Sequence, residues 1–418
     1  MRLRSSLVAL AILLAAPAVA DEVRHPFDQA HVAFPPGTLR PSQGQAEIDR
    51  ATAGFYDAWK ARYLAPGCAP GQRRIRMEEG NIWSVSEGQG YGMVIVALMA
   101  GHDPEARAVF DQLFNYARRH RSDVDRSLMA WAQNEHCQDI DGRVSATDGD
   151  LDIAYALLLA DAQWGSKGGV DYRKEAEQTL AAMVRHAVDP ATGLTLLGDW
   201  VAPDGDYAHA SRTSDWMIDH FRAFAAVDAA WSRAADAHLD LVLKLQEEFA
   251  PKTGLLPDFV TDTAEAPKPA PPNFHEKETD GDFAWNACRT PWRLGTEAAM
   301  SGDPRAVKAV RRMTDWIHAA TGGDPKKIGE SYRLDGTVID PAESMAYVAP
   351  FAVAAMSGSS GDGVDGGVGG DWPQAWLDAL WAEIVATPPD GYYSDSIKLQ
   401  AMLTIGGHWW RPTAAPMP

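Results

Sequence analysis

Residues 146–164 read ATDGDLDIAYALLLADAQW, three alternate aspartates followed by an apolar run. The start imitates a calcium loop of the Asp-x-Asp-x-Asp type. Such a loop needs Gly at its sixth position and Glu at its twelfth, and counted from Asp148 those places hold Ile153 and Leu159, so calcium is excluded. The remaining reading is a helix. Beginning at Gly149 or Asp150, it places Asp148 near the N-terminal cap and Asp152 one turn inside. Capping and ligand binding are both open to Asp148.

The same helical periodicity extends outward in both directions. Tyr56, Trp59 and Tyr63 recur at helix spacing, as do Met93, Val96, Ala97 and Ala100. Further segments run from Phe110 to Tyr116, Ala176 to Ala187, Trp216 to Leu245, Ala306 to Ala319, Met345 to Met356 and Ser394 to Ile405. Each sets apolar residues on one face and Arg, Asp or Glu on the other. Two-residue alternation of β-branched residues is almost absent. Helical segments roughly 20 to 40 residues apart predict helical hairpins laid side by side, and hairpins without a sequence repeat fit a closed α/α toroid better than an open solenoid. The expectation is an all-α fold with one domain over residues 46–412, an extended Pro-containing leader over 21–45 and a short tail over 413–418. Gly358 to Gly370 reads as a flexible surface linker. Ala264 to Asp282 is a longer, Pro-rich then acidic loop, of a length that is often functional.

The N-terminus has Arg2 and Arg4, an apolar run from Leu7 to Ala20, and the small-residue end Ala18-Val19-Ala20. That predicts a secretory signal peptide over residues 1–20 and a secreted or periplasmic protein; the run is too short for a membrane span. Without it the formal charge moves from -19 to -21 (36 basic against 57 acidic residues). Such a polyanion excludes nucleic-acid or anionic-lipid binding through a basic patch and suits a neutral or cationic partner. Three cysteines permit one internal bridge, for which Cys68 and Cys137 are the pair guessed, since Cys288 sits inside a motif. No Cys-x-x-Cys occurs, and no metal site is expected.

Three segments set acids or arginines among aromatics and glycines. The first, Trp83 to Met93 (WSVSEGQGYGM), holds Glu87 at the entrance to an apolar helix. Aromatic walls would raise its pKa toward that of a general acid, or Glu87 interacts with the helix dipole. The second is the Asp148 segment. The third, Trp285 to Arg293 (WNACRTPWR), has Arg289 and Arg293 one helical turn apart, able to orient a carboxylate or hold a sugar hydroxyl, or else lying on the surface; Pro291 suits a first helical turn.

Together with Ser211 to Trp216 (SRTSDW) and Tyr392 to Pro412, which ends GGHWWRP, these segments make the chain resemble glycoside hydrolase family 8 over most of its length and in the expected order. That family includes endoglucanases, lichenases, chitosanases and xylan-acting enzymes. The resemblance implies a six-hairpin (α/α) barrel with a long groove across one end. It implies Glu87 as proton donor, and Asp148 as the residue that holds and distorts the sugar where cleavage occurs. One position departs: many members have Asp three residues before the motif arginine, where this chain has Asn286. Another branch also carries Asn there and takes its base from a Glu in the preceding inserted loop. That loop here contains Glu276, Glu278, Asp280 and Asp282. Glu276 is the favoured base and Glu278 the second, and inversion would set the two carboxyl groups about 6.5–9.5 Å apart. Tyr91, Trp131, Trp200, Trp285, Asn286, Arg289, Tyr392 and Tyr393 are expected to contact substrate, although a core role is open to each aromatic.

The implied activity is inverting, endo-acting hydrolysis of β-1,4-linked glucan, cellulose or mixed-linkage, by a monomer that needs no cofactor. Chitosan or xylan is the alternative polymer, and a non-catalytic glycan-binding envelope protein is the alternative of another class.

Overall fold

The structure is a computed structural model that describes residues 23–77, 79–360 and 372–412. The expected signal peptide, the tail over 413–418 and most of the Gly358 to Gly370 linker lie outside the described residues. Twelve α-helices are present among them: α1 Gln45–Tyr63, α2 Ser86–Leu98, α3 Ala106–Arg119, α4 Thr147–Trp164, α5 Tyr172–His186, α6 Ile218–Phe224, α7 Ala230–Glu248, α8 Thr290–Ser301, α9 Pro304–Thr321, α10 Met345–Ala355, α11 Trp372–Ala386 and α12 Tyr392–Ile405. Strands are two or three residues long, in four small antiparallel sheets.

The even-numbered helices pack in succession, α2 on α4, α4 on α6, α6 on α8, α8 on α10 and α10 on α12, and α12 returns to α2. Each odd-numbered helix covers one of them: α3 on α2, α5 on α4, α7 on α6, α9 on α8, α11 on α10 and α1 on α12. Residue chemistry accounts for this division. Every residue of α10 (MAYVAPFAVAA) is buried, and in α2 and α12 only Glu87 and Tyr393 are not. Helices buried on every side lie inside, and the few polar side chains they carry, such as Gln89 and Asp395, are hydrogen-bonded, whereas α3 and α9, with Arg-rich outer faces, lie outside. One apolar core runs from Phe27 to Trp410.

Two helix readings need correction. The stretch Trp216 to Leu245 is two helices, because the chain turns at Ala225–Ala229 and the Asp228 carboxylate accepts the Ala230 N–H (2.9 Å), starting α7 afresh. Helix α4 begins at Thr147, with Ala146 as its extended N-terminal flank. Asp148 is therefore inside the first turn and is not the cap; its Oδ1 accepts the Gly149 N–H at 2.8 Å.

Cys68 and Cys137 are bridged, with Cα atoms 6.1 Å apart across 69 residues of sequence, and Cys288 is free and buried. The bridge ties the hairpin after α1 to the loop over 134–139, which Arg74 also grips through the carbonyls of Asn134 and Glu135 (both 2.9 Å). A closure of this span is worth about 4.4 kcal/mol in the chain-entropy account. A Cys68→Ser, Cys137→Ser double variant is expected to show a correspondingly lower denaturation midpoint, measured by urea unfolding, with turnover at 25 °C little changed.

Candidate active site

Five of the inner helices, α2, α4, α6, α8 and α12, bring their N-terminal ends or the turns just before them to one groove of about 940 Å³. Glu87 is the second residue of α2 and Asp148 the second of α4, while Tyr392 and Tyr393 open α12. Ser214 and Arg289 sit in the short 3-10 turns just before α6 and α8. Helix N-termini present unpaired N–H groups and a positive field, a setting that favours acidic side chains. Close approach of these ends requires glycine. A Cβ at Gly149 would lie 2.6 Å from the Ser86 backbone, and one at Gly88 would lie 2.5 Å from the Tyr392 hydroxyl.

Arg289 is the hub. Its guanidinium is 2% exposed and donates from Nη1 to Glu87 Oε2 (2.5 Å), Asp148 Oδ2 (3.1 Å) and Tyr91 Oη (3.3 Å). From Nη2 it donates to Ser214 Oγ (2.9 Å) and Asn286 Oδ1 (3.1 Å). Tyr392 donates its hydroxyl to the other oxygen of Glu87 at 3.1 Å.

Glu276 reaches the groove on the loop over 264–282. A three-stranded sheet of Ser211–Arg212, Phe259–Thr261 and Lys268–Pro269 folds that loop back beside Arg212. Its tip is fixed by Asp280, which is buried and accepts the backbone N–H groups of His275 (2.7 Å), Glu276 (2.9 Å) and Lys277 (2.9 Å). Glu276 then accepts from Arg212 Nη2 (3.1 Å) and from Asn286 Nδ2 (2.9 Å). The Asn286 amide therefore joins the two halves of the site, accepting from Arg289 and donating to Glu276. A carboxylate could not make the second bond. Asp258 holds this stretch in place by accepting the N–H groups of Ala284, Asn286 and Ala287.

Four carboxyl groups, those of Glu87, Asp148, Asp215 and Glu276, share two guanidinium groups, those of Arg212 and Arg289. Burial settles where protons stay. Desolvation pushes Glu87 up to about 7 against the pull of Arg289, with the nearby Asp148 charge adding to the rise. Desolvation likewise pushes Asp215 up to about 7, against Arg212. Near pH 7 a large share of Glu87 therefore carries its proton, with 15% of the side chain open to the groove, the state a proton donor needs.

The expected residues fall into two groups. Glu87, Asp148, Glu276, Trp131, Trp200, Trp285, Asn286, Arg289, Tyr392 and Tyr393 all line the groove. Trp200 stacks on His275 (ring centres 5.8 Å apart) and Tyr393 donates to the Trp285 carbonyl (2.6 Å), so these walls are braced. Tyr91 is not at the surface of the groove. It is fully buried one turn below Glu87 and reaches the site only through Arg289. Arg293 is likewise buried one turn below Arg289, on Asp152 (2.7 Å), which His220 also contacts (2.9 Å). Glu278 is exposed and outside the groove lining. Arg212 and Asp215 were missed as site residues, although SRTSDW was singled out.

An Asn286→Asp variant would set a carboxylate beside Glu276 in place of a donor. Like charge raises the pKa of the pair, so the acidic limb of the kcat profile is expected to move upward by about one unit or more, read from kcat between pH 4 and 8.

An acid at the head of α2, held toward its protonated form by burial, and a loop carboxylate held by Arg212 and Asn286 line one aromatic groove, an arrangement suited to hydrolysis of glycosidic bonds. The profile of glycosyl hydrolases family 8 matches residues 46–362. The chain belongs to that family and is a glycoside hydrolase. It is 38% identical to a beta-glucanase of Niallia circulans, covering 92% of this chain and 91% of that one. It is 37% identical to an endoglucanase of Bacillus sp. (strain KSM-330), covering 94% and 83%. Among solved structures, the apo beta-1,3-1,4-glucanase of Paenibacillus sp. X4 superposes with a TM-score of 0.87 at 38% identity, over 93% of this chain and 99% of that one. Rex8A of Paenibacillus barcinonensis, complexed with xylose, shares the fold at 20% identity (TM-score 0.72, 88% of this chain and 94% of that one).

Proposed function

We propose that the chain is a secreted, inverting, endo-acting β-glucanase with mixed-linkage β-1,3-1,4-glucan as its best substrate and β-1,4-glucan as a slower one. Glu87 protonates the leaving glycosidic oxygen. Glu276 takes a proton from water, which attacks the anomeric carbon from the opposite face as the bond to the leaving oxygen breaks. Asp148 holds the sugar at the cleavage point, and Trp131, Trp200, Trp285 and Tyr393 offer faces for pyranose rings. The observation that carries the reading is the continuous chain Glu87–Arg289–Asn286–Glu276, which couples a protonated acid to a loop carboxylate across one groove. The similarity to glucan-acting relatives supports the polymer. The closed succession of even-numbered helices supports a six-hairpin (α/α) barrel over residues 46–412 working as a monomer. The basic, apolar, Ala-x-Ala start supports cleavage after Ala20. Among the described residues no helix is long and apolar enough to cross a membrane.

Reducing-sugar release from barley β-glucan, carboxymethyl-cellulose, chitosan and xylan tests the substrate. The expected order puts barley β-glucan first. Fastest release from chitosan, which the acidic charge would attract, or from xylan would replace the polymer. Binding of oligosaccharides without any hydrolysis would replace the enzyme by a glycan-binding protein.

A further inference from the structure

Far from the groove, three side chains with no common sequence neighbourhood converge. His408 follows the C-terminal end of α12, Asp49 lies in the second turn of α1, and His31 comes from the leader before α1. His408 Nε2 stands 2.9 Å from Asp49 Oδ1, and His31 Nε2 stands 3.3 Å from the same oxygen. The three ligand atoms lie within 4.8 Å of one another. We propose that His31, Asp49 and His408 form a binding site for a divalent cation of the zinc type, which clips the leader and the end of α12 onto α1. This departs from the metal-free chain expected from sequence.

Zinc bonds of about 2.0–2.1 Å set neighbouring ligand atoms about 3.3 Å apart, a spacing the two contacts to Asp49 Oδ1 already approach; the His31 and His408 nitrogens, within 4.8 Å of each other, need only close around an entering ion. The donors suit the ion as well. Two imidazoles and one carboxylate favour zinc-like cations over calcium or magnesium, which prefer all-oxygen sites. Packing holds the ligands ready: Phe27 stacks on His408 (ring centres 3.9 Å, 21°), and Gln45 Nε2 donates to Asp49 Oδ1 at 2.6 Å. Arg40 donates from Nη2 to Gln45 Oε1 and to the Gly406 carbonyl, which fixes the Gln45 amide that holds Asp49. The entrance is open, since the side chains of His31 and Asp49 are 26% and 20% exposed while that of His408 is 1% exposed. Water can complete the coordination.

The location argues for a structural role. Helix α12 has 14 residues, so its C-terminal end lies about 20 Å from the Tyr392 end that faces the groove. The ion would join α1 to the end of α12, the contact at which the first and last helices of the domain meet.

The test is calorimetric titration of zinc chloride into the tag-free, EDTA-dialysed full-length enzyme, beside a His31→Ala variant. His31 is half-buried, so its loss should leave folding intact, whereas His408 is buried and its loss would disturb packing. The wild type is expected to take one zinc per chain with Kd below about 10 µM, and His31→Ala to weaken this about 100-fold. Saturating zinc is expected to raise Tm by about 3 °C in the wild type and not in the variant. Hydrolysis by the zinc-free variant should match that of the zinc-free wild type. No saturable binding by the wild type up to 100 µM zinc would overturn the proposal, as would binding undiminished by His31→Ala. In either case the trio is a hydrogen-bonded clip alone, and the reading of the groove is untouched because the readouts do not depend on it.

Discussion

A Glu87→Gln enzyme is expected to lose about a thousand- to ten-thousand-fold in kcat on β-glucan while KM moves only a few-fold. Gln keeps the size of the side chain and an oxygen for Arg289 or Tyr392, so the groove retains its shape. What it lacks is a proton to give. A sugar alkoxide is a poor leaving group, and without that proton the departing oxygen must carry full negative charge. An aryl glycoside with a nitrophenolate leaving group needs less help, so the variant's deficit should shrink on such a substrate. A purely structural role for Glu87 would depress both substrates equally. The pH profile supplies a second check. The acid works in its protonated form, and burial holds its pKa near 7, so wild-type kcat/KM should fall as pH rises through about 7. That alkaline limb should vanish in the variant. Retention of more than a tenth of wild-type turnover on β-glucan would remove Glu87 from its role.

The second large effect is expected at Glu276. Replacement by Ala should lower kcat by about a hundred- to ten-thousand-fold, the range for loss of a general base. Arg212 and Asn286 would remain to fix the groove wall. Azide needs no deprotonation and fits the space left by the side chain. It is expected to restore turnover and to give an α-glycosyl azide, because it enters opposite the departing β-linked oxygen, which Glu87 still protonates. Glu278→Gln, at an exposed position outside the groove, should leave kcat nearly normal. If instead Glu276→Ala were active and Glu278→Gln dead, the base would be reassigned.

How far these residues were legible in the sequence depends on the range of the interactions involved. The apolar faces of α3 and α9 repeat every turn, so local periodicity exposes them. The return of α12 onto α2 joins residues about 300 positions apart, and no local pattern records it. Tyr91 was expected to contact substrate and lies beneath the groove, and Arg293, read as orienting a carboxylate or holding a sugar hydroxyl, does the first, on buried Asp152. Each lies four residues after a true groove residue, Glu87 or Arg289. On a helix that points its N-terminus at the groove, four residues are a full turn of depth, about 6 Å. Spacing that puts two side chains on one face also puts the second one beneath the first. Arg212 and Asp215 went unnamed because their roles exist only once the strand at Phe259–Thr261 brings the Glu276 loop alongside. Asn286 looked like a lost base, and its meaning as a donor to Glu276 became visible only with both side chains in place.

The account stands most directly on the stereochemistry of the first product. In proton NMR of barley β-glucan during the first minutes of digestion, an acid at Glu87 and a water-activating base at Glu276 give α-anomeric reducing ends first, with the β signal growing later by mutarotation. β-Anomeric ends appearing first would mean that a side chain attacks the sugar in place of water, and the assignment of Glu276 as base would be contradicted.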